Sequence, residues 1–233
     1  VAKKAPVIVM ASMGAVKYIG LKATAYMVRG IAESAEIPVC LHLDHATDLD
    51  LIQKCIDVGF TSVMIDASMK SYEENIQETA SIVAYAKKMG CSVEAELGRV
   101  GGREEEVIVD EASAAFTNPE DVPDFVKRTG IDALAIAFGT AHGFYKKEPK
   151  LDYERIAAIA EITEIPLVMH GGTGVSEEGF KKAIRNGISK VNVGTELKAT
   201  YVSAIRDVTA RNPGEGDPRK YMCSVKQDCS EVV

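Results

Sequence analysis

The chain has no apolar run near the roughly 20 residues that cross a bilayer, no excess of basic residues, no C-x-x-C pair, no internal repeat and no low-complexity tract. Each absence removes a class of function. Without a long apolar run no membrane partner is expected. Lys and Arg number 27 against 34 Asp and Glu, a formal net charge of −7, and a surface of that sign repels a phosphate backbone, so nucleic acid is excluded as a partner. The five cysteines, Cys40, Cys55, Cys91, Cys223 and Cys229, are odd in number and scattered. They read as free, mostly buried thiols of a cytoplasmic protein, with no framework for disulfides or thiolate zinc.

What is present suffices for a full core. The 233 residues are 46% apolar, enough for a single domain over 1–233. Seven short β-rich apolar runs recur, at Pro6–Ala11, Val39–Asp44, Ser62–Asp66, Ser92–Leu97, Ala133–Phe138, Leu167–His170 and Lys190–Gly194. Between them apolar residues take helical spacing, as at Leu21, Ala25, Val28 and Ala32, or Ile76, Ala80, Val83 and Ala84. Helix punctuation agrees: Ser71 with Glu74 forms a capping box, Asn118-Pro119 and Ser176 mark starts, and Gly59, Gly90, Gly130 and Gly187 mark stops. Arg211 to Pro218 reads as a turn-rich break before a terminal helix.

Strict alternation of buried strands and amphipathic helices predicts an α/β fold with a parallel sheet, either doubly wound or a closed (β/α)8 TIM barrel, and the strand count favours the barrel. Seven strands are one short of eight, so the expectation is a barrel whose first strand and most of whose first helix lie ahead of residue 1, with the C-terminal tail also incomplete.

In either fold, sites form beyond the carboxyl ends of the strands. Those ends carry Asp44-His45, Asp66, Glu94 and Glu96, Thr140 and His142, His170 with its glycines, and Asn192 with Thr195. Three of the four histidines lie there, and three imidazoles converging from separate strands make a zinc site with one open position. His42 shares parity with Asp44 and is read as a buried hydrogen-bonding residue one layer lower. Asp44 has opposite parity to His45, and so lies beside the open position either as a general acid/base or as a carboxylate orienting a histidine. The turn H-G-G-T-G, His170 to Gly174, and the neighbouring N-V-G-T, Asn192 to Thr195, offer backbone N–H groups to a phosphorylated ligand. Gly98 to Pro119 is longer than the usual βα connection of about six residues; it reads as a lid with Gly101 and Gly102 as hinges, and Glu104 is either a lid carboxylate that reaches the metal or part of a solvated acidic loop.

The motifs L-H-L-D-H, S-V-M-I-D-A-S, S-V-E-A-E-L-G-R-V-G-G, G-T-A-H-G, H-G-G-T-G and K-V-N-V-G-T-E-L-K together resemble the class II, zinc-dependent ketose-bisphosphate aldolases over nearly the whole chain. The resemblance implies the (β/α)8 fold and Zn2+ on His45, His142 and His170, with Asp66 and Glu96 at a second or displaced metal position. It implies Asp44 as acid/base at the substrate's C4 hydroxyl and Glu104 as the lid base. Gly143, Gly171, Gly172, Thr173, Asn192, Val193, Gly194 and Thr195 match the segments that hold dihydroxyacetone phosphate, with room for a monovalent cation. A homodimer or homotetramer in the cytoplasm is implied too. The expected reaction is cleavage of a ketose 1,6-bisphosphate to dihydroxyacetone phosphate and glyceraldehyde 3-phosphate by zinc-stabilised enediolate chemistry. Gly194, where fructose-cleaving members often carry Asp, favours tagatose 1,6-bisphosphate. Ala67-Ser68-Met69-Lys70 also departs from the family's A-S-H pattern. The alternatives are fructose 1,6-bisphosphate or another phosphorylated ketose as substrate, and a non-catalytic barrel acting as scaffold or activating subunit.

Overall fold

The computed structural model describes residues 4–104, 107–109, 115–145 and 149–232, the side chains of 103, 104 and 107–109 excepted. In chain order the elements are β1 (Val7–Ser12), α1 (Met13–Ile19), α2 (Leu21–Glu33), β2 (Val39–Ala46), α3 (Leu49–Val58), β3 (Ser62–Ile65), α4 (Tyr72–Met89), β4 (Ser92–Leu97), β5 (Gly101–Glu104) and β6 (Val107–Val109). Then come α5 (Val122–Thr129), β7 (Ala133–Ile136), β8 (Ala141–His142), α6 (Tyr153–Ile162), β9 (Leu167–Met169), α7 (Glu177–Arg185), β10 (Ile188–Val191), α8 (Thr195–Arg211) and α9 (Pro218–Val232).

Seven strands form one parallel sheet in the order β1-β2-β3-β4-β7-β9-β10. A doubly wound sheet reverses its order at a switch point, whereas this order follows the chain throughout, as in a barrel. Four strand spacings separate β2 from β9, about 19 Å in a flat sheet. Yet His45 at the end of β2 and His170 just after β9 approach to 2.7 Å. The sheet therefore curls on itself, with its inner face lined by Met64, Ala135 and Val168 from β3, β7 and β9. Among the described residues β1 and β10 have no second strand neighbour, and Val7, Ile8 and Val9 stay 37–38% exposed. In a closed eight-stranded barrel, one further strand lies between two such edges.

The outer face of the sheet packs on the helices in one large core that includes Leu43, Ile52, Val63, Ile82, Phe125, Leu134, Ile156 and Leu167. Local signals set the helix ends. Ser71 and Glu74 form the expected capping box on α4, Ser176 caps α7 through the Gly179 N–H, and Gly59, Gly90 and Gly130 close α3, α4 and α5 in the left-handed conformation. On α4 the buried face is Ile76, Thr79, Ile82, Val83 and Ala86, and Ala84 faces outward.

The presumed lid begins differently from expectation. β5 pairs antiparallel with β6 and parallel with β8 in a small three-stranded sheet. Gly101 and Gly102 sit inside β5, opposite Ala141 and His142, so the expected hinge is a place of close backbone approach. A Cβ on Gly102 would fall within 2.4 Å of the His142 carbonyl oxygen. His142 accordingly stands on β8, set off from β7 by a turn at Gly139 with φ 107°.

The cysteines are free thiols, and Cys55 and Cys91 are buried. Burial pushes both of these thiols up to about 12. Below that pH they remain protonated and poorly nucleophilic. Alkylation of the native protein at pH 8, followed by peptide mapping, should label exposed Cys223 and leave Cys55 and Cys91 unmodified until denaturant is added.

Candidate metal centre

The end of β2 is irregular, and the site depends on that irregularity. Pairing with β3 runs His42 to Ser62 and Leu43 to Val63, then Ala46 to Ile65, so three steps on β2 face two on β3. This is a β-bulge, and at it His45 takes the left-handed backbone, φ 44°, a conformation that costs a non-glycine residue about 1–3 kcal/mol. Strict alternation would send His45 outward with Leu43. The bulge re-aims it, so Asp44 and His45 both serve the interior, which corrects the expectation drawn from parity.

His45, His142 and His170 each present a nitrogen, and these lie within 4.8 Å of one another. The facing pair, His45 Nε2 and His170 Nδ1, is 2.7 Å apart. Two of the rings have their outer nitrogen on a carboxylate: His45 Nδ1 is 2.9 Å from Asp66 Oδ2, and His170 Nε2 is 2.8 Å from Glu94 Oε1. A ring that donates its outer N–H keeps a lone pair on its inner nitrogen, as a metal ligand must.

Two facing lone pairs at that distance require a cation between or upon them. Burial works against charge on His45, but the Asp66 hydrogen bond and the carboxylates of Asp44, Glu96 and Asp66 prevail and raise it to about 10. Burial and the neighbouring His45 charge hold His170 down. The cluster is built around positive charge, and an all-imidazole donor set suits a divalent transition metal such as zinc.

Asp44 accepts a hydrogen bond from Asn192 Nδ2 at 3.1 Å. Burial would raise its carboxyl, but His45, His170, His42 and Lys190 outweigh that and hold it below the ordinary carboxylate range, so it is ionised at neutral pH. His42 is fully buried, with Nδ1 2.8 Å from Ser62 Oγ. Burial lowers it to about 4, so it is neutral, in keeping with a structural role.

His45, Asp66 and Glu96 form a second converging group. Both Asp66 oxygens are engaged, by His45 and by Ser68. Glu96 Oε2 is buried without a hydrogen-bond partner, and burial together with Asp66 raises that carboxyl to about 8.

A small cleft opens beside His142 and His170, lined by Asp44, His142, Gly143, His170, Gly171, Gly172, Thr173, Asn192, Gly194 and Thr195. Val193 does not line it. Met10, within β1, lines it although no sequence motif marks it. Tyr145, also unmarked, ties the wall together, its hydroxyl accepting the Ala141 N–H at 2.8 Å and donating to the Gly171 carbonyl at 2.7 Å. Thr173 Oγ1 accepts the Glu196 N–H at 3.3 Å and joins the first glycine-rich turn to the start of α8. Glu104 closes β5; its side chain, and so its reach toward the cleft, lies outside the described residues.

The family model for class II fructose-bisphosphate aldolase matches residues 1–233. The chain belongs to that family. As a class II aldolase it is a lyase, from a family whose members are generally zinc-dependent. Among curated relatives, this aldolase is 46% identical over 223 residues to the fructose-bisphosphate aldolase of Geobacillus stearothermophilus, covering 94% of this chain and 77% of the relative. It is 42% identical over 253 aligned positions to that of Thermus caldophilus, covering 99% of this chain and 83% of the relative. Among solved structures it resembles the YdjI aldolase from Escherichia coli K12, with a TM-score of 0.86 and 32% identity over 99% of this chain and 80% of that one. The fructose-bisphosphate aldolase from Campylobacter jejuni gives a TM-score of 0.80 and 26% identity over 97% of this chain and 80% of that one.

Gly171 shows how tightly the wall of the cleft is framed. It has φ 68°, and a Cβ there would lie 2.5 Å from the Ala141 carbonyl oxygen, beside His142. Gly171→Ala should displace β8 and lower the zinc retained per chain after gel filtration, while the far-ultraviolet circular dichroism of the helices stays unchanged.

Proposed function

We propose that this aldolase is a zinc enzyme that reversibly cleaves fructose 1,6-bisphosphate to dihydroxyacetone phosphate and glyceraldehyde 3-phosphate. The observation that carries the reading is the three-histidine cluster standing beside one cleft whose lining includes His142, His170, an ionised Asp44 and the start of α8. The fructose substrate is favoured because both curated relatives bear that name.

Held by His45, His142 and His170, zinc would supply a Lewis acid for the negative charge that develops on the substrate as the carbon–carbon bond breaks. Asp44, fixed by Asn192, takes the proton from the C4 hydroxyl and returns it in condensation. Glu104 is assigned the proton transfers at the dihydroxyacetone-phosphate carbon, and Asp66 with Glu96 a second or displaced metal position. Phosphate is assigned to the turns of Gly143, Gly171–Thr173 and Asn192–Thr195, Val193 included as part of the last. α8 supports this, since its N-cap is Gly194 with no side-chain cap, and a helix start left uncapped suits an anion. A monovalent cation beside that phosphate, a homodimer or homotetramer, and a cytoplasmic location belong to the same reading.

Gly194 favours tagatose 1,6-bisphosphate as a second reading. A Cβ there would meet nothing within 4 Å, so a side chain would fit, yet this chain leaves the place empty. A non-catalytic scaffold would have no use for converging histidines beside a charged Asp44.

The test measures zinc content and cleavage of both sugars before and after chelation. Chelation should abolish triose-phosphate release, and zinc should restore it. Asp44→Asn should retain metal and lose at least about 10²-fold in rate. Faster cleavage of tagatose 1,6-bisphosphate would transfer the assignment to the second reading, and bound zinc with cleavage of neither sugar would overturn both.

A further inference from the structure

Behind the histidines the barrel interior holds an ion pair that the reaction itself does not use. Glu94 on β4 is 2% exposed and Lys190 on β10 places Nζ 2.7 Å from Glu94 Oε2, its side chain only 12% exposed. The other oxygen of Glu94 accepts from His170 Nε2 at 2.8 Å. A buried carboxylate and ammonium are costly to desolvate and are seldom retained for stability alone.

We propose that Lys190 and Glu94 are positioning residues that set which nitrogen of His170 faces the metal. An ionised carboxylate can only accept, so Glu94 requires the ring proton to sit on Nε2 and leaves the lone pair on Nδ1, the nitrogen that faces His45. Lys190 pins the second oxygen of that carboxylate and so fixes its plane, and with it the tilt of the imidazole. The chain Lys190–Glu94–His170 on one side mirrors Ser68–Asp66–His45 on the other. Each histidine of the facing pair is thereby held from behind by a carboxylate that is itself held by a donor. His170 alone has a full cation in that third place. In the sequence Glu94 stands out only as a strand-end acid and Lys190 has no assigned role, because the pair joins residues 96 apart in the chain.

This inference rests on the proposed zinc site, and its test keeps the two apart. Zinc affinity by chelator competition, and the visible spectrum of the cobalt(II)-substituted protein, would be measured for the full chain and for Lys190→Met, Glu94→Gln and Glu94→Leu. Lys190→Met and Glu94→Leu should each weaken zinc binding about 10–100-fold and shift the cobalt bands. Glu94→Gln keeps an acceptor for His170 and should lose less. Combining Lys190→Met with Glu94→Leu should cost no more than Glu94→Leu alone, since the two act as one unit. Unchanged affinity and unchanged cobalt bands in Lys190→Met and Glu94→Leu would overturn the positioning role, even if both variants unfold at lower temperature. Should Glu94→Leu fail to fold, Lys190→Met and Glu94→Gln still decide it. Absence of zinc binding by the unaltered protein would instead overturn the metal site, and this inference with it.

Discussion

The bulge at His45 is the constraint on which the site depends. A regular strand would deliver Asp44 to the barrel interior and His45 to the helix layer, and the facing pair with His170 could not form. One additional residue against β3, with a left-handed backbone at His45, brings acid and imidazole to the same side. The strained residue is held in place on both sides: His45 is tied to Asp66 from behind and faces His170 in front.

Around that point the interior is an array of charge rather than a packed apolar plug. Asp44, Asp66, Glu94 and Glu96 surround the histidines, and Lys190 is the lysine set among them. Burial would discharge each acid, and whether it does so depends on the neighbours. Asp44 and Asp66 are held ionised by the imidazoles and their donors, whereas Glu96, which has Asp66 for a neighbour, is pushed up to about 8. Carboxylates close together in space thus take on different proton affinities, the physical requirement for assigning them different tasks.

The walls of the cleft obey a second constraint, close backbone approach. Gly102 against His142 and Gly171 against Ala141 leave no room for a Cβ, and the Tyr145 hydroxyl and Thr173 Oγ1 bridge loops that belong to different strands. The glycine-rich turns and the three histidines are therefore one framework, since moving β8 moves His142, and moving the turn after His170 moves both that imidazole and the Gly171–Thr173 backbone.

Much of this was legible in the chain. Strand runs, capping signals and the seven-strand count are local properties, set by side-chain pattern and backbone preference within a few residues, and they fixed the β/α order and the strand ends that carry chemistry. The three histidines, Asp44 and the glycine-rich turns were legible because strand ends in such sheets converge wherever the sheet curls. The structure decided what depends on contacts between distant segments: the bulge that overrides parity at His45, the small sheet that carries His142, the Tyr145 bridge, and the Lys190–Glu94 pair behind His170. A sequence states which residues can bond and at what spacing; which partners meet across the barrel is a matter of register and curl, and only the folded sheet sets those.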